Sequence, residues 1–230
     1  MAAATSGMNR FYLLLGAAAV LGAAVIGFLV TRKPPVSIPA NPVIQVADTS
    51  GFRGYLLGSD SARLEVTEYA DYECPACQGW TTVQFPTVEE RLIRTGKVRW
   101  RYRDFPLAQH RHSRVAAHSA ACAAEQGKYW EMNARIYSWE GNWPEKSDAA
   151  GIFAGIAKAL GLDVAGYDTC MASARYAGRI QASVLEGQAI GVQSTPTFYI
   201  NGRLYPGGNA VHYDMLKAML DSLAGPPATQ

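Results

Sequence analysis

Cys74 and Cys77 stand three positions apart, with Pro75 and Ala76 between them. Two thiols at that spacing can close a small disulfide ring or share a metal ion, and the flanking residues favour the ring. Arg63 to Tyr69 reads as a strand entering the motif, and Gly79 to Leu92 reads as a helix leaving it. Cys74 then sits at a helix N-terminus, where unpaired amide N–H groups and the helix dipole stabilise a thiolate. The thiolate is the species that attacks disulfides. Cys74 is accordingly expected to be an exposed nucleophile of lowered pKa. Cys77, one helical turn on and on the same face, is the resolving thiol. Pro75 shapes the turn, since its fixed φ suits a first helical turn and its missing N–H would be orphaned there anyway. Ala76 tunes the potential without taking part. A structural zinc site would want a second close pair of ligands, and the other cysteines do not supply one.

Those others are Cys122 and Cys170, 48 residues apart, which makes four cysteines in all. An even number permits two disulfides in three connectivities. A local Cys74–Cys77 pair leaves Cys122 to bond Cys170 as a structural bridge between two helices. Two reduced core cysteines or a second redox pair are the competing readings. Two disulfides imply an oxidising compartment. His110, His112 and His118 share no compact helical face, so no metal site is expected there; His110 reads as a capping or packing residue.

These groups need elements to hold them. Of the 230 residues 49% are hydrophobic and 17% charged, which suits a globular domain. A net charge of +2 argues against nucleic acid as a partner. Phe11 to Val30 carries no charge for 20 residues, enough for a membrane-spanning helix. The run exceeds a signal-peptide core and lacks a small-x-small exit, so residues 11–30 are read as an uncleaved signal anchor after a short segment 1–10. Pro34, Pro35, Pro39 and Pro42 mark residues 31–55 as an extended tether. Val98 to Tyr102 reads as a second strand. Helices are expected over Ser113–Gln126, Tyr129–Trp139, Asp148–Leu160 and Arg175–Ile190. A hairpin, Thr197–Ile200 and Arg203–Tyr205, turns at Asn201-Gly202. Tyr213 to Leu223 closes the domain, and 225–230 is a disordered tail. The pattern is an α/β layered domain with a helical insertion.

The motifs now assembled resemble the thioredoxin superfamily and, within it, the DsbA-like thiol oxidoreductases. The resemblance covers about residues 56–224. Leu57-Gly58 and Val66 through Cys77 are similar to the family's first strand and active-site turn. Arg103-Asp104-Phe105-Pro106-Leu107 with His110 resembles the lead into its helical insertion, and Glu125 through Trp130 a turn inside it. Gly191-Val192 and Thr195-Pro196-Thr197 through Gly202 resemble its cis-proline loop and hairpin. Ser194 departs from the glycine expected there, and Pro-Ala between the cysteines lacks the imidazole of strongly oxidising relatives.

The resemblance implies a thioredoxin fold with an inserted helical subdomain at about 108–188. It implies a cis Thr195–Pro196 peptide beside the sulfurs, with the N–H and C=O of Thr195 free to pair with an extended substrate. Glu68 falls at the family's buried acid and could accept a proton from Cys77; the alternative is a solvated strand-edge charge. Asp71 and Glu73 are expected to flank the motif in the open. Trp80, Trp100, Trp130, Trp139 and Trp143 are core or surface-lining residues, some of them able to line a peptide surface. The implied activity is disulfide donation to translocated proteins, on the outer face of the membrane, with no cofactor and with reoxidation by a quinone-linked membrane partner of the DsbB or vitamin K epoxide reductase type. A reductase or isomerase with the same site is the alternative, and a non-catalytic metal-binding module is a third reading.

Overall fold

The structure is a computed structural model that describes residues 4–31 and 36–224. It divides into two compact units, Met1–Pro35 and Val36–Gln230. The tail at 225–230 and the prolines at 34 and 35 lie outside the described residues.

The first unit holds α1 (Ala4–Thr31). Its stretch Arg10–Phe28 is long and apolar enough to cross a membrane, with mean hydropathy 2.2. Phe11, Leu13, Val20 and Ile26 are all exposed.

In the second unit the segment expected to be a plain tether is partly structured. Ile38 is buried, and α2 (Val46–Thr49) forms one turn, closed by Asp48 accepting from the N–H of Gln45 at 2.7 Å. Phe52 then lies beneath the guanidinium of Arg179, 4.3 Å from its ring centre. Ile38 between the prolines and Phe52 beyond them give this stretch something to bury.

A five-stranded sheet follows, ordered β1-β3-β2-β4-β5. The strands are β1 (Tyr55–Leu57), β2 (Leu64–Ala70), β3 (Val98–Asp104), β4 (Thr197–Ile200) and β5 (Arg203–Pro206). Only β2 and β3 run parallel, which fits a crossover made by α3 (Pro75–Val83), α4 (Phe85–Val88) and a π-helical turn at Glu89–Ile93. β4 and β5 turn on Asn201 and Gly202, at φ 48° and 80°. Two positive φ angles are what a two-residue hairpin demands, and Asn-Gly supplies them at least cost. β1 was not foreseen, because three residues are too few to show a period.

Side chains alternate across the sheet. Val66, Glu68, Trp100, Phe198 and Ile200 share one face, whose apolar members pack with Trp80, Leu92, Val211 and Leu216. The other face puts Tyr69 against Phe105, Val184 and Val192. There α9 (Ala177–Ala189) approaches closely: a Cβ on Gly187 would come within 2.8 Å of the Phe105 ring.

Between β3 and β4 the chain inserts α5 (Ser113–Ala124), α6 (Tyr129–Tyr137), α7 (Ala149–Ala159), α8 (Val164–Ser173) and α9. This is the α/β fold with a helical insertion that the resemblance implies. α5 is alanine-rich because it is central: Ala116, Ala117, Ala120, Ala121 and Ala123 are all buried. Small side chains let neighbouring helices approach it from several sides. α8 was not foreseen, since its sequence lacks an apolar stripe. Its start was signalled by Asp163, whose carboxylate caps the N–H groups of Ala165 and Gly166. α10 (Tyr213–Ala224) closes the sheet.

Candidate active site

The turn between β2 and α3 is built around Asp71. Its carboxylate accepts from the N–H of Glu73 at 2.8 Å, the N–H of Leu107 at 2.7 Å and the hydroxyl of Ser113. Nδ1 of His110 lies 2.7 Å from it as well. Asp71 is 1% exposed, so the expectation of an open flanking charge is corrected. Partners on this many sides replace the hydrogen bonds to water that the buried carboxyl group gives up. The readable signal was the aspartate two residues before Glu73, the pattern of an Asx turn. Glu73 is half-buried and accepts from the N–H of His112 at 2.6 Å. His110 therefore fastens the loop after β3 to the turn.

Cys74 is the N-cap of α3 and Pro75 its first residue. Both thiols are free. Cys74 is 7% exposed, less than a nucleophile was expected to be, because the loop before β4 covers it. The Thr195–Pro196 peptide in that loop is cis, and the carbonyl of Thr195 lies 3.3 Å from Sγ of Cys74. This carbonyl, expected to be free for a substrate, is taken by the thiol in the reduced site. The Thr195 hydroxyl is buried without a partner. Pro75 and Ala76 are exposed beside the sulfur.

The two thiols differ in acidity. The Cys74 pKa is lowered to about 5, chiefly because the Cys77 thiol donates to its sulfur. Burial opposes this, and the amides of Cys77 and Ala76 reinforce it. Cys77 is fully buried, and that burial, with the charge of Cys74 beside it, pushes its thiol well above the ordinary value. One sulfur is ready to carry charge and the other is kept neutral.

Glu68 stands on β2 with its side chain on the sheet face that carries Trp100 and Phe198. It is 2% exposed; one carboxylate oxygen accepts from Nε1 of Trp100 at 3.0 Å and the other has no partner. Burial raises its pKa to about 8. When ionised, it raises the Cys77 thiol further. Sequence reasoning missed a second buried acid on the same face, Asp104, which burial raises to about 7. Beside it lie the hydroxyl pairs Tyr102–Tyr137 at 2.7 Å and Tyr72–Tyr129 at 3.1 Å. A groove of about 310 Å³ lies at the C-terminal end of α3, lined by Leu57, Phe85, Pro86 and Trp130 together with Thr81, Thr82, Glu89 and Asn133.

Cys122 and Cys170 are disulfide-bonded, joining α5 to α8. His118 lies beside them, so the three histidines serve separate places: the Asp71 turn, the start of α5 and the disulfide.

Residues 52–222 match the family model described as Thioredoxin. Among curated proteins, the chain is 35% identical over 156 residues to the Na(+)/H(+) antiporter NhaA 3 of Salinispora tropica, covering 67% of this chain and 22% of that much longer protein. It is 27% identical over 168 residues to the probable disulfide bond formation protein D of Bacillus anthracis, covering 72% and 76%. Among solved structures it superposes on oxidised BdbD of Bacillus subtilis with TM-score 0.64 at 20% identity, over 83% of this chain and 98% of that one. That last likeness is one of fold.

Proposed function

The chain belongs to the thioredoxin superfamily and within it to the DsbA-like proteins, and from that premise we propose that it is a membrane-anchored thiol–disulfide oxidoreductase that donates disulfides to translocated proteins. The observation that carries this reading is the asymmetry of the two thiols: Cys74 at a helix N-terminus with a pKa of about 5, Cys77 buried and held neutral.

In the oxidised enzyme a substrate thiolate attacks Sγ of Cys74. The Cys74–Cys77 bond breaks and its electron pair goes to Cys77. Glu68, protonated at neutral pH because its pKa is about 8, supplies the proton that Cys77 then requires. The second substrate thiolate attacks its own partner in the mixed disulfide and expels Cys74. A thiol of low pKa leaves fastest, so the same feature that stabilises the Cys74 thiolate drives electrons from substrate to enzyme. Thr195 and Pro196 lie over the sulfur; in the oxidised enzyme Cys74 has no S–H, which leaves the Thr195 carbonyl to an extended substrate.

Two features support an extracytoplasmic site: the Cys122–Cys170 disulfide, at home in an oxidising compartment, and the apolar helix Arg10–Phe28 as anchor. A quinone-linked membrane reoxidase completes the cycle. The alternative is a reductase or isomerase using the same residues. Equilibrating the full chain with glutathione buffers and measuring the Cys74–Cys77 potential separates them. A value near about −120 mV is expected for a disulfide donor. A value at or below about −230 mV would reverse the proposed direction.

A further inference from the structure

The surroundings of the Cys122–Cys170 bond are unlike those of a disulfide that only ties helices together. Nδ1 of His118 lies 3.4 Å from Sγ of Cys122 and 3.5 Å from Sδ of Met171. Nε2 of the same ring accepts from the N–H of Tyr176 at 3.3 Å. A neutral imidazole carries one proton. With Nε2 accepting, that proton is on Nδ1 and points at the sulfurs. Burial first, and Arg175 second, keep the ring neutral by lowering its pKa to about 4. The orientation also speaks against a resident metal. A ligating histidine turns a lone pair to the ion and donates its other N–H outward, the reverse of this one.

The other sulfur meets the opposite chemistry. Oε1 of Glu125 lies 3.4 Å from Sγ of Cys170. Arg175 and the hydroxyl of Tyr176 hold that carboxylate in place, at 2.9 and 2.7 Å. A donor at Cys122 favours negative charge there, and a carboxylate at Cys170 disfavours it. A thiol on Cys170 would instead donate to Glu125. Cys170 itself is 0% exposed; Glu125, Arg175 and Tyr176 are the cover over this end of the bond, with 32% of the Glu125 and 45% of the Arg175 side chain exposed, so a co-reactant reaches the sulfur only when this cover moves aside. The cover follows Ala174, a non-glycine residue at φ 49°.

We propose that Cys122–Cys170 is a second thiol–disulfide exchange centre, in which Cys170 is the sulfur attacked and Cys122 the leaving thiolate, stabilised by His118. The co-reactant is a dithiol entering past Glu125. Its thiolate attacks Sγ of Cys170, the S–S bond breaks, and the electron pair passes to Cys122, which accepts the Nδ1–H of His118. The second thiol of the dithiol gives up its proton, attacks its partner sulfur in the mixed disulfide and expels Cys170, which takes up that proton and as a thiol hydrogen-bonds to Glu125. Two electrons move from the dithiol to the cysteine pair, and the dithiol becomes a disulfide. His118 acts here as a positioning residue, since it touches the leaving sulfur and not the co-reactant.

The test uses the full chain carrying C74S and C77S, so that one disulfide remains and the outcome is independent of the Cys74 reading. Dithiothreitol at neutral pH is expected to open the bond while the native circular dichroism persists. Glutathione, used as a trap, is expected on Cys170, with Cys122 open to alkylation. H118F lowers the equilibrium constant for reduction by about tenfold or more, the loss of one hydrogen bond to a charged group, and H118Q, which keeps an N–H donor, retains it. Glutathione carried on Cys122, a bond that opens only as the fold is lost, or equal reduction of H118F and the parent chain would each overturn the proposal. Should H118F fail to fold, the position of glutathione in the parent chain decides alone.

Discussion

Replacing Glu68 by glutamine should stabilise the protein, and by an amount that depends on pH. Glu68 is fully buried with one oxygen unpartnered, and its pKa is about 8 in the folded state against 4.5 in the unfolded chain. The folded pKa is raised, so the contribution to stability is fully present below pH 4.5 and is lost as pH rises towards 8. At pH 7 the unfolded chain has released the proton and the folded one has not. The gap, 7 minus 4.5 or 2.5 pH units at about 1.36 kcal/mol each, is about 3 kcal/mol. At pH 5 it falls to about 1 kcal/mol. Glutamine keeps the acceptor for Trp100 Nε1 and cannot ionise. Glu68→Gln is therefore expected to gain about 3 kcal/mol at pH 7 and about 1 kcal/mol at pH 5. Urea unfolding of the full chain in mild detergent reads this through tryptophan fluorescence, since all five tryptophans lie between residues 80 and 143. Asp104 adds a slope of its own that both proteins share. A difference between the two proteins that is the same at pH 5 and pH 7, or a glutamine variant less stable at pH 7, would refute the argument.

Absorbance at 240 nm follows thiolate formation in the reduced protein, and its midpoint should lie near 5 for Cys74. Because the thiol of Cys77 is the largest cause of that shift, Cys77→Ala should move the midpoint up towards the ordinary value of about 8.5; an unmoved midpoint would assign the shift to the helix terminus instead. Removing the second disulfide, by Cys122→Ala with Cys170→Ala, frees a 48-residue loop and should cost about 4 kcal/mol of stability on the chain-entropy account. Denaturant midpoints of the two proteins measure this, and a loss below about 1 kcal/mol would mean the unfolded chain is already constrained there.

Much of this protein was written locally. The spacing of Cys74 and Cys77, with proline at the first helical position, follows from what a helix N-terminus requires. Asn201-Gly202 fixed its hairpin because few other pairs accept two positive φ angles. The length and lack of charge of Phe11–Val30 marked α1 without reference to any other part of the chain. Such features answer to the backbone within a few residues, so a linear sequence can specify them.

Contacts between distant segments decided the rest. Asp71 reads as a surface charge until Leu107, His110 and Ser113 arrive with their donors. Asp104 looks like a strand-end charge and is fully buried, near Tyr55, Tyr72, Tyr102 and Tyr129 from separate parts of the chain. Cys74 looked open until the loop of Thr195 covered it. His118 could be placed on α5 from its neighbours, yet nothing in the sequence put Tyr176 on one side of its ring and a disulfide on the other. Burial and charge pairing depend on which segments meet in space, so the sequence by itself determined which groups could do chemistry, and the tertiary structure decided which of them are held neutral, held charged or held shut.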